Sequence, residues 1–322
     1  SLMMKWKRLG KIFDPTEHTL PNDCFEYAQS PQVIVKDDFV RIYFSTRQKD
    51  PINGKFLSHV AFVDMDKSFK SILNISSETV LPLGKLGTFD EHGIFPINLL
   101  EQGDEIFAYT CGWNRRSSVS VDTGIGFAKS TDGGLTFSKL GDGPILGPSV
   151  NEPFLVGDAF VKKYNNTFHM WYMFGTKWKT YEENTPADRT YKIGHATSKN
   201  GIDWLKEDGI QVIADKLNVE ESMALPTVIE HNNLYHMLFC YRQSSDFRST
   251  SSRGYRIGYA SSTDLKNWDR DDDKSGIEVG DNGWDDQMLC YPHLFKCDGK
   301  IYMLYNGNEF GRFGFGLALL EN

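Results

Sequence analysis

The chain has 322 residues, of which 40% are hydrophobic and 13% aromatic, with 29 glycines. This composition predicts a globular, β-rich protein with many turns and excludes a disordered or fibrous chain. The formal charge of −8 argues against a nucleic-acid partner, because binding a phosphate backbone needs concentrated Lys and Arg. No apolar run approaches the roughly 20 residues of a membrane span, and the first residues lack the apolar segment of a secretory signal. We therefore expect a cytoplasmic protein with no membrane partner.

The cysteine and histidine patterns argue against a disulfide framework and against a metal site. The cysteines are odd in number and lack CxxC spacing, which favours reduced, packed thiols. The histidines show no metal-ligand spacing such as HxxxH. We expect no metal and no other cofactor; a channel Ca²⁺ stays open as an alternative, although no residue pattern indicates it. The cysteines are Cys24, Cys111, Cys240, Cys290 and Cys297.

In chain order, the sequence opens with a segment, residues 3–20, that can supply a closing strand, and then repeats itself. The repeated phrase is Ile-Gly-x-Ala-x-Ser, weaker in its first and last copies. Its alanines are 58 to 68 residues apart, which indicates five similar units. They are Ala61, Ala128, Ala196, Ala260 and Ala318.

A second phrase, a strand-breaking residue followed by a short apolar strand, recurs in step with the first at intervals of 63 to 67 residues. A hairpin and an aromatic strand follow each copy, and stretches with helical periodicity are lacking. The breaking residues are Pro31, Pro96, Ala159, Pro226 and Pro292.

Repeats built only from strands predict an all-β fold, a five-bladed β-propeller with small antiparallel sheets around a central channel. We expect a single domain over residues 1–322. The expected blades are 21–85, 86–148, 149–215, 216–280 and 281–322, with residues 3–20 closing the ring.

The segment from Ser130 to Phe137 fits the Asp-box pattern S-x-D-x-G-x-T-aromatic. An aspartate in such a turn can accept hydrogen bonds from turn amides while the aromatic ring packs between sheets. We expect a hairpin-turn device and not a catalytic site.

Acidic residues are frequent just before the breaking residues, where a propeller would place them around the channel mouth. Carboxylates that converge raise one another's pKa, so one can act as general acid while another acts as base. Glycoside hydrolysis needs this arrangement, although each acid could equally cap a turn or face water. The pairs are Asp23 and Glu26, Asp90 and Glu91, Glu152 and Asp158, Glu220 and Glu221, and Asp285 and Asp286.

Aromatic side chains in or beside the predicted mouth loops can stack on the apolar faces of sugars. Core packing is the alternative for each. We single out Trp113, Trp178 and Tyr291, together with His92, the histidine that lies within the predicted funnel.

Three basic residues, Arg47, Lys177 and Arg242, end the second strand of blades one, three and four at matching positions. They could hold an anionic group, such as a phosphate, a uronic acid or a sugar phosphate, through charge-assisted hydrogen bonds. The alternative is that they pair with the acids nearby.

With these repeats, the sequence resembles the five-bladed propeller glycosidase superfamily, which includes arabinanases, β-xylosidases, invertases, levansucrases and mannoside phosphorylases. The resemblance covers nearly the whole chain, and Ile-Gly-x-Ala-x-Ser followed by Asp/Asn-Gly and Trp is typical of it. In the arabinanase group it implies an Asp base before the first-blade Pro, an Asp in blade three and a Glu acid in blade four. Asp158 matches the blade-three acid, whereas Ser30 and Ala224 occupy the other two positions.

The sequence therefore predicts a carbohydrate-active enzyme that acts on an oligosaccharide or glycoconjugate, with Asp158 and Glu221 as leading carboxylates and with inversion if it hydrolyses. A phosphorylase or sugar transferase that uses the basic trio stays open, as does a glycan-binding propeller without activity. No oligomeric state is predicted. The supporting acids are Glu26, Asp90, Glu152 and Asp286.

Overall fold

The computed structural model describes residues 2–322, and nearly all of its regular structure is β-strand. The strands are rich in β-branched and aromatic residues, as in the run VRIYFSTRQK of Val40–Lys49. Helical segments in the described range have at most four residues, and none could cross a membrane. They are the 3₁₀ turns Pro15–Glu17, Pro21–Asp23, Ser251–Arg253 and Asp272–Ser275, and α1, Asn308–Gly311.

The strands pair into five antiparallel units, numbered here along the chain. The first strand of the chain, β1 (Trp6–Phe13), belongs to unit 5. Unit 1 contains β2 (Glu26–Val35), β3 (Val40–Lys49), β4 (Phe56–Met65) and β5 (Ile72–Ile75). Unit 2 contains β6 (Gly93–Gln102), β7 (Glu105–Arg115), β8 (Val121–Ser130) and β9 (Ser138–Lys139).

Unit 3 contains β10 (Val156–Tyr164), β11 (Thr167–Lys179), β12 (Asp188–Ser198) and β13 (Trp204–Lys206). Unit 4 contains β14 (Glu221–His231), β15 (Leu234–Gln243), β16 (Arg256–Ser262) and β17 (Asp269–Arg270). Unit 5 contains β18 (Cys290–Cys297), β19 (Lys300–Asn306), β20 (Phe315–Leu320) and β1.

The units differ in how they are joined. Units 1 and 2 share one eight-stranded sheet, because a single parallel bridge links Ser58 of β4 to Gly93 of β6. Units 3, 4 and 5 are separate four-stranded sheets. In unit 5, β1 pairs antiparallel with β20, with Trp6 opposite Leu320. A strand from the start of the described chain thus completes the last sheet.

Hydrophobic clusters fill the space between successive units. Tyr43 of unit 1 packs on Phe137 of unit 2 at 6.0 Å between ring centroids. Phe44 of unit 1 packs on Phe315 of unit 5 at 6.1 Å. Further clusters join units 2 and 3, units 3 and 4, and units 4 and 5. Packing therefore runs from each unit to the next and returns from unit 5 to unit 1.

The cysteines and the Asp box have the environments that the sequence predicts. All five cysteines are buried and free, which confirms packed thiols. Asp132 Oδ1 accepts hydrogen bonds from the backbone N–H groups of Leu135 and Thr136, both at 3.0 Å. Phe137 is buried against Tyr43. The Asp box is therefore a turn that carries an anchoring ring, as expected.

Each inner strand, the first strand of its unit in units 1 to 5, carries a one-residue bulge at the same place. In unit 3, the stretch from Gly157 to Phe160 faces a stretch of β11 that is one residue shorter, and the other inner strands repeat this mismatch. The second residue of each bulge is the breaking residue found in the sequence. Proline is tolerated there because the ladder is interrupted at a bulge.

The first residue of each bulge has an unusual backbone. Four of these residues have a backbone φ between 50° and 55°, in the left-handed region that residues other than glycine seldom adopt. Such conformations persist where the surrounding structure imposes them. The four are Ser30, Asp158, Leu225 and Tyr291, and Phe95 occupies the corresponding place in unit 2.

In units 2 to 5, a buried acid at or before the start of the inner strand forms an ion pair with a cation on the outer strand of the same unit. We call these contacts the edge-to-edge ion pairs. A buried carboxylate needs such a partner, because an isolated buried charge is costly. The pairs are Asp90 with Lys139 at 2.7 Å, Glu152 with Lys206 at 2.8 Å, Glu221 with Arg270 at 2.7 Å, and Asp285 with Arg8 at 3.4 Å.

Replacing Glu152 by Gln should destabilise the fold, because Lys206, whose side chain is 9% exposed, would keep its charge without a carboxylate partner. We expect a loss of about 3 kcal/mol in the free energy of unfolding, measured by urea denaturation. The matched control is Asp142→Asn, which breaks the exposed Lys85–Asp142 pair and should cost less than about 1 kcal/mol. Equal losses in the two variants would contradict a structural role for the edge-to-edge ion pairs.

Candidate active site

The inner strands meet around a cavity of about 490 Å³. Its wall includes the first bulge residue of units 2, 3, 4 and 5, namely Phe95, Asp158, Leu225 and Tyr291. The bulges therefore bring side chains from four different sheets to one place. Among residues 2–322, Asp158 is the one carboxylate in the wall.

Asp158 is 6% exposed and is held in the left-handed backbone conformation by the β10 bulge. Burial raises the pKa of Asp158 to about 7, although the charge of Arg189 and hydrogen bonds from the Leu225 backbone and the Cys111 side chain lower it. A carboxyl group with this pKa is protonated in part at neutral pH. It can therefore donate a proton to a bound molecule and take it back.

The residue before Asp158 must be small. A Cβ atom on Gly157 would lie 2.4 Å from Cys111 Sγ, so β10 approaches β7 closely here. Thr123 Oγ1 donates a hydrogen bond to the Val156 carbonyl at 2.9 Å, which joins the same strand to β8. These contacts fix the backbone that presents Asp158 to the cavity.

Four arginines line the same cavity: Arg47, Arg189, Arg242 and Arg248. With Asp158 as the one facing carboxylate, the wall carries an excess of positive charge even when Asp158 is ionised. Guanidinium groups bind carboxylates and phosphates through paired, charge-assisted hydrogen bonds. The cavity is therefore suited to a ligand that carries an anionic group.

Arg242 is the most deeply buried of these cations, at 1% exposure. Its guanidinium donates to Tyr191 Oη at 3.0 Å and to the Gln243 carbonyl at 3.0 Å, while its Nε has no hydrogen-bond partner within residues 2–322. Burial opposes the charge, but Tyr191 and Tyr255 hold the pKa of Arg242 above its usual value. Arg242 is thus a permanent cation with an unused donor.

Phe247 separates two of the cations. The guanidinium carbon of Arg242 lies 3.6 Å from the centre of the Phe247 ring, and that of Arg248 lies 4.1 Å from it. Two planar cations this close to one ring centre must occupy its opposite faces, where each gains a cation–π contact. Arg248 also pairs with Asp188 at 2.8 Å on the exposed side. The ring holds the two charges apart while both reach the cavity wall.

Aromatic rings form much of the remaining wall. Arg47 lies 3.8 Å above the Tyr27 ring and 5.2 Å from that of Phe56. Trp113 and Tyr291, both singled out in the sequence, also line the cavity. Such rings can cover the apolar faces of a sugar while the arginines bind its charged group.

The other candidate acids do not line the cavity. Glu221, Glu152 and Asp90 are held in the edge-to-edge ion pairs. Glu26 pairs with Arg312 at 2.8 Å. Asp286 accepts a hydrogen bond from Asn308 Nδ2 at 2.7 Å, which together with the Gly283 amide lowers the pKa of Asp286.

Three further candidates also lie outside the wall. Lys177 pairs with Glu220 at 2.7 Å, as the alternative interpretation of the basic trio expects. His92 Nδ1 accepts a hydrogen bond from the Arg115 backbone, and burial lowers the pKa of His92. Trp178 packs against the core with Arg189 over its ring at 5.6 Å.

The two positions at which the resemblance places a base and an acid carry neither. Ser30 is buried and does not line the cavity, and Ala224 contributes an apolar surface to the wall. Sequence reasoning also missed Arg189 and Arg248. Arg189 is the second residue of β12, opposite Trp178 of β11, and Arg248 lies in the long loop between β15 and β16, so neither occupies a repeated position.

Within residues 2–322, no group of three or more His, Cys, Asp or Glu side chains could hold a metal ion.

The raised pKa of Asp158 has a consequence for stability. The unfolded chain has an Asp pKa of about 3.9, so the folded protein binds this proton more tightly. Its free energy of unfolding should therefore fall as the pH rises from about 4 to about 7 and level off above that. Asp158→Asn keeps the shape without the charge and should be more stable than the native protein at pH 8 by about 2 to 4 kcal/mol, but not at pH 4.

Thermal or urea unfolding of both proteins at pH 4, 6 and 8 checks this expectation. Asp286→Asn serves as control, because Asp286 has a lowered pKa and its replacement should bring no gain at pH 8. A native-like pH profile in Asp158→Asn would contradict the assignment of the buried proton to Asp158.

No protein-family model matches the chain. In fold, the chain is similar to a solved glycoside hydrolase, with a TM-score of 0.73 and 16% identity over 100% of this chain and 93% of that one. It is also similar to β-1,2-mannobiose phosphorylase from Listeria innocua in complex with β-1,2-mannobiose, with a TM-score of 0.65 and 12% identity over 98% of this chain and 96% of that one. The chain is also similar to a GH130 structure from work on mannoside phosphorylases and on glycoside hydrolases that target β-1,2-mannosidic linkages in Candida mannan. The TM-score is 0.70 and the identity 13%, over 98% of this chain and 94% of that one.

Two Mycobacterium tuberculosis proteins are similar in sequence: Uncharacterized protein Rv1502 of strain H37Rv and Uncharacterized protein MT1551 of strain CDC 1551. Each is 32% identical over 321 residues, which cover 99% of this chain and 100% of the relative. The solved structures show that the fold is that of the propeller glycoside hydrolases and mannoside phosphorylases. The full-length match in sequence shows that the chain belongs to the same family as Mycobacterium tuberculosis Rv1502.

Proposed function

We propose that this protein is a carbohydrate-active enzyme that breaks a glycosidic bond with phosphate as the second reactant, or forms one from a glycosyl phosphate with release of phosphate. We further propose that Asp158 is its general acid. The observation that carries the proposal is the composition of the cavity wall. It combines one buried carboxyl group with four arginines.

The number of carboxylates favours phosphorolysis over hydrolysis. An inverting hydrolase needs an acid and a separate base, roughly 6.5 to 9.5 Å apart, to activate a water. Among residues 2–322, Asp158 has no second carboxylate beside it in the wall. Phosphate is already a nucleophile at neutral pH, so phosphorolysis needs only the acid.

In the proposed reaction, an oxygen of phosphate attacks the anomeric carbon while the bond from that carbon to the glycosidic oxygen breaks. Asp158 transfers its proton to the departing oxygen and becomes a carboxylate. The products are a glycosyl phosphate and a sugar with a free hydroxyl group. Transfer in the opposite direction starts with Asp158 ionised and returns the proton to it.

The arginines would hold the phosphate and neutralise its charge as it approaches the sugar. Arg242 is best suited to a direct contact, because its buried Nε lacks a partner in the described chain. Arg47 packs on the Tyr27 ring and Arg248 on the Phe247 ring, and both rings line the cavity. Trp113 and Tyr291, which also line the cavity, would contact the oligosaccharide or glycoconjugate.

The comparisons agree with this class of chemistry, since mannoside phosphorylases are among the proteins of similar fold. We further propose that the five units are the five blades of one propeller, with blades at 21–85, 86–148, 149–215, 216–280 and 281–322 and with residues 3–20 closing the ring. The bulges at matching positions of the inner strands and the pairing of β1 with β20 support this division.

Incubating the enzyme with a panel of oligosaccharides, β-1,2-mannobiose among them, tests the reaction. We expect a glycosyl phosphate only when phosphate is present. Asp158→Asn should lower kcat by about 10²- to 10⁴-fold while sugar binding is kept, since it removes the proton donor but not the cavity. Asp142→Asn, an exposed acid paired with Lys85, is the control and should retain full activity.

Two results would decide against phosphorolysis. Release of reducing sugar at the same rate with and without phosphate would favour the hydrolase. Measurable affinity for a glycan with no product under either condition would favour the glycan-binding alternative.

Replacing Arg242 by Gln should raise the KM for phosphate by about 10- to 100-fold, with a smaller effect on the KM for the sugar, because a charge-assisted contact to the anion is lost. Steady-state kinetics with each reactant varied in turn measure this difference. Lys179→Gln is the control, because Lys179 pairs with Glu220 and does not line the cavity. An equal rise in both KM values would contradict a phosphate contact by Arg242.

A further inference from the structure

The anion site and the acid share one cavity, and Arg189 belongs to both. Arg189 lines the wall with Asp158, and its charge acts on that carboxylate. Its guanidinium also contacts neutral groups, the Ser120 hydroxyl at 3.5 Å and the Trp178 ring at 5.6 Å. Arg189 and Asp158 form no ion pair within residues 2–322, so an anion bound at Arg189 would neutralise a charge that acts on Asp158 across the cavity.

The groups that face Asp158 come from five strands. β7 supplies Cys111, β12 supplies Arg189, β14 supplies the Leu225 amide, β15 supplies Cys240 and β18 supplies Tyr291. Burial raises the pKa values of the two thiols and of the Tyr291 hydroxyl well above their usual ranges, so these groups stay neutral. Arg189 is therefore the charged side chain among these neighbours of Asp158.

We propose that the cavity takes up an anion and a proton together, because an anion bound at Arg189 neutralises that cation and adds a negative charge to the cavity that Asp158 also lines. Asp158 is then protonated as the anion binds. This inference rests on the proposed function, since it states that Asp158 becomes protonated when the second reactant, phosphate, binds.

The physical basis is thermodynamic linkage. If an anion favours the protonated form of Asp158, then protonation of Asp158 must favour the anion by the same factor. A nearby Arg cation lowers a carboxyl pKa by about 1 to 3 units, and a nearby negative charge raises it, so an anion at Arg189 acts on the pKa of Asp158 in both ways. The unliganded group titrates near neutral pH, with a pKa of about 7. Above that pH, anion binding would convert an ionised Asp158 into a proton donor.

The consequence for catalysis at neutral pH and above is that Asp158 becomes fully protonated only when the anion is in place. A sugar that binds alone would meet an Asp158 that is protonated in part. A sugar that binds with the anion would meet one that is ready to donate. Proton transfer from Asp158 to a sugar would thus be disfavoured when no nucleophile is present.

Inorganic sulfate tests the coupling, because it resembles phosphate in shape and does not titrate between pH 5.5 and 8.5. Sulfate affinity of the whole protein would be measured by calorimetry across this range, in buffers of different ionisation enthalpy that report proton uptake. We expect the Kd of the native protein to rise by up to about tenfold per pH unit above pH 7 and uptake to approach one proton per sulfate near pH 8.

Asp158→Asn provides the matched control, because it removes the titrating group and keeps its shape. It should bind sulfate with a Kd that does not change with pH, take up no proton, and bind more tightly than the native protein at pH 8. Arg189→Gln should bind sulfate more weakly and take up less than the native amount of proton. Its circular dichroism spectrum would be compared with the native spectrum to verify folding.

The outcomes separate the two proposals. Sulfate binding with a constant Kd and no proton uptake in the native protein would overturn the coupling but leave the anion site intact. Proton uptake that persists in Asp158→Asn would also overturn it, by assigning the proton elsewhere. Failure of both sulfate and phosphate to bind at any pH would overturn the anion site and, with it, the proposed function.

Discussion

A buried carboxylate that is paired with a cation on the far edge of its own sheet recurs in four of the five units. Each such pair ties the segment that enters a sheet to the strand that ends it, so the inner and outer edges are held in one register. Since a buried charge without its partner is strongly destabilising, both residues are needed together. The placement of the inner strands, and therefore of the cavity between them, depends on this contact.

The bulges of the five units differ in the side chain that each one carries. The same extra residue occurs in every inner strand, but the side chain at that place is Ser30, Phe95, Asp158, Leu225 or Tyr291. The repeat thus builds one geometry, and a single unit uses it to present a carboxyl group. Arginines from units 1, 3 and 4 complete the site. Its chemistry is asymmetric although its framework is nearly symmetric.

Much of the fold could be predicted because the breaking residues fall where the ladder is interrupted, and a bulge tolerates proline wherever it occurs. Asp158 could be found for the same reason. The sequence does not separate the other acids from Asp158, because a structural ion pair and a catalytic carboxylate can use the same side chain at the same place in a repeat, as with Glu152 and Glu221. The partners Lys206 and Arg270 lie some 50 residues further along the chain, so only the folded sheet reveals them. Arg189 and Arg248 lie outside the repeat and gave no periodic signal.

The pairing of β1 with β20 also determines how the molecule would respond to mechanical tension. Because these strands are antiparallel, Trp6 and Leu320 lie side by side at one end of the ladder, next to the contacts of Lys5 with Glu321 and Asn322. A force applied between the two ends of the chain would load these bonds one pair after another instead of all at once. The last sheet would therefore open like a zipper, at low force, while the inner strands and the cavity were still intact.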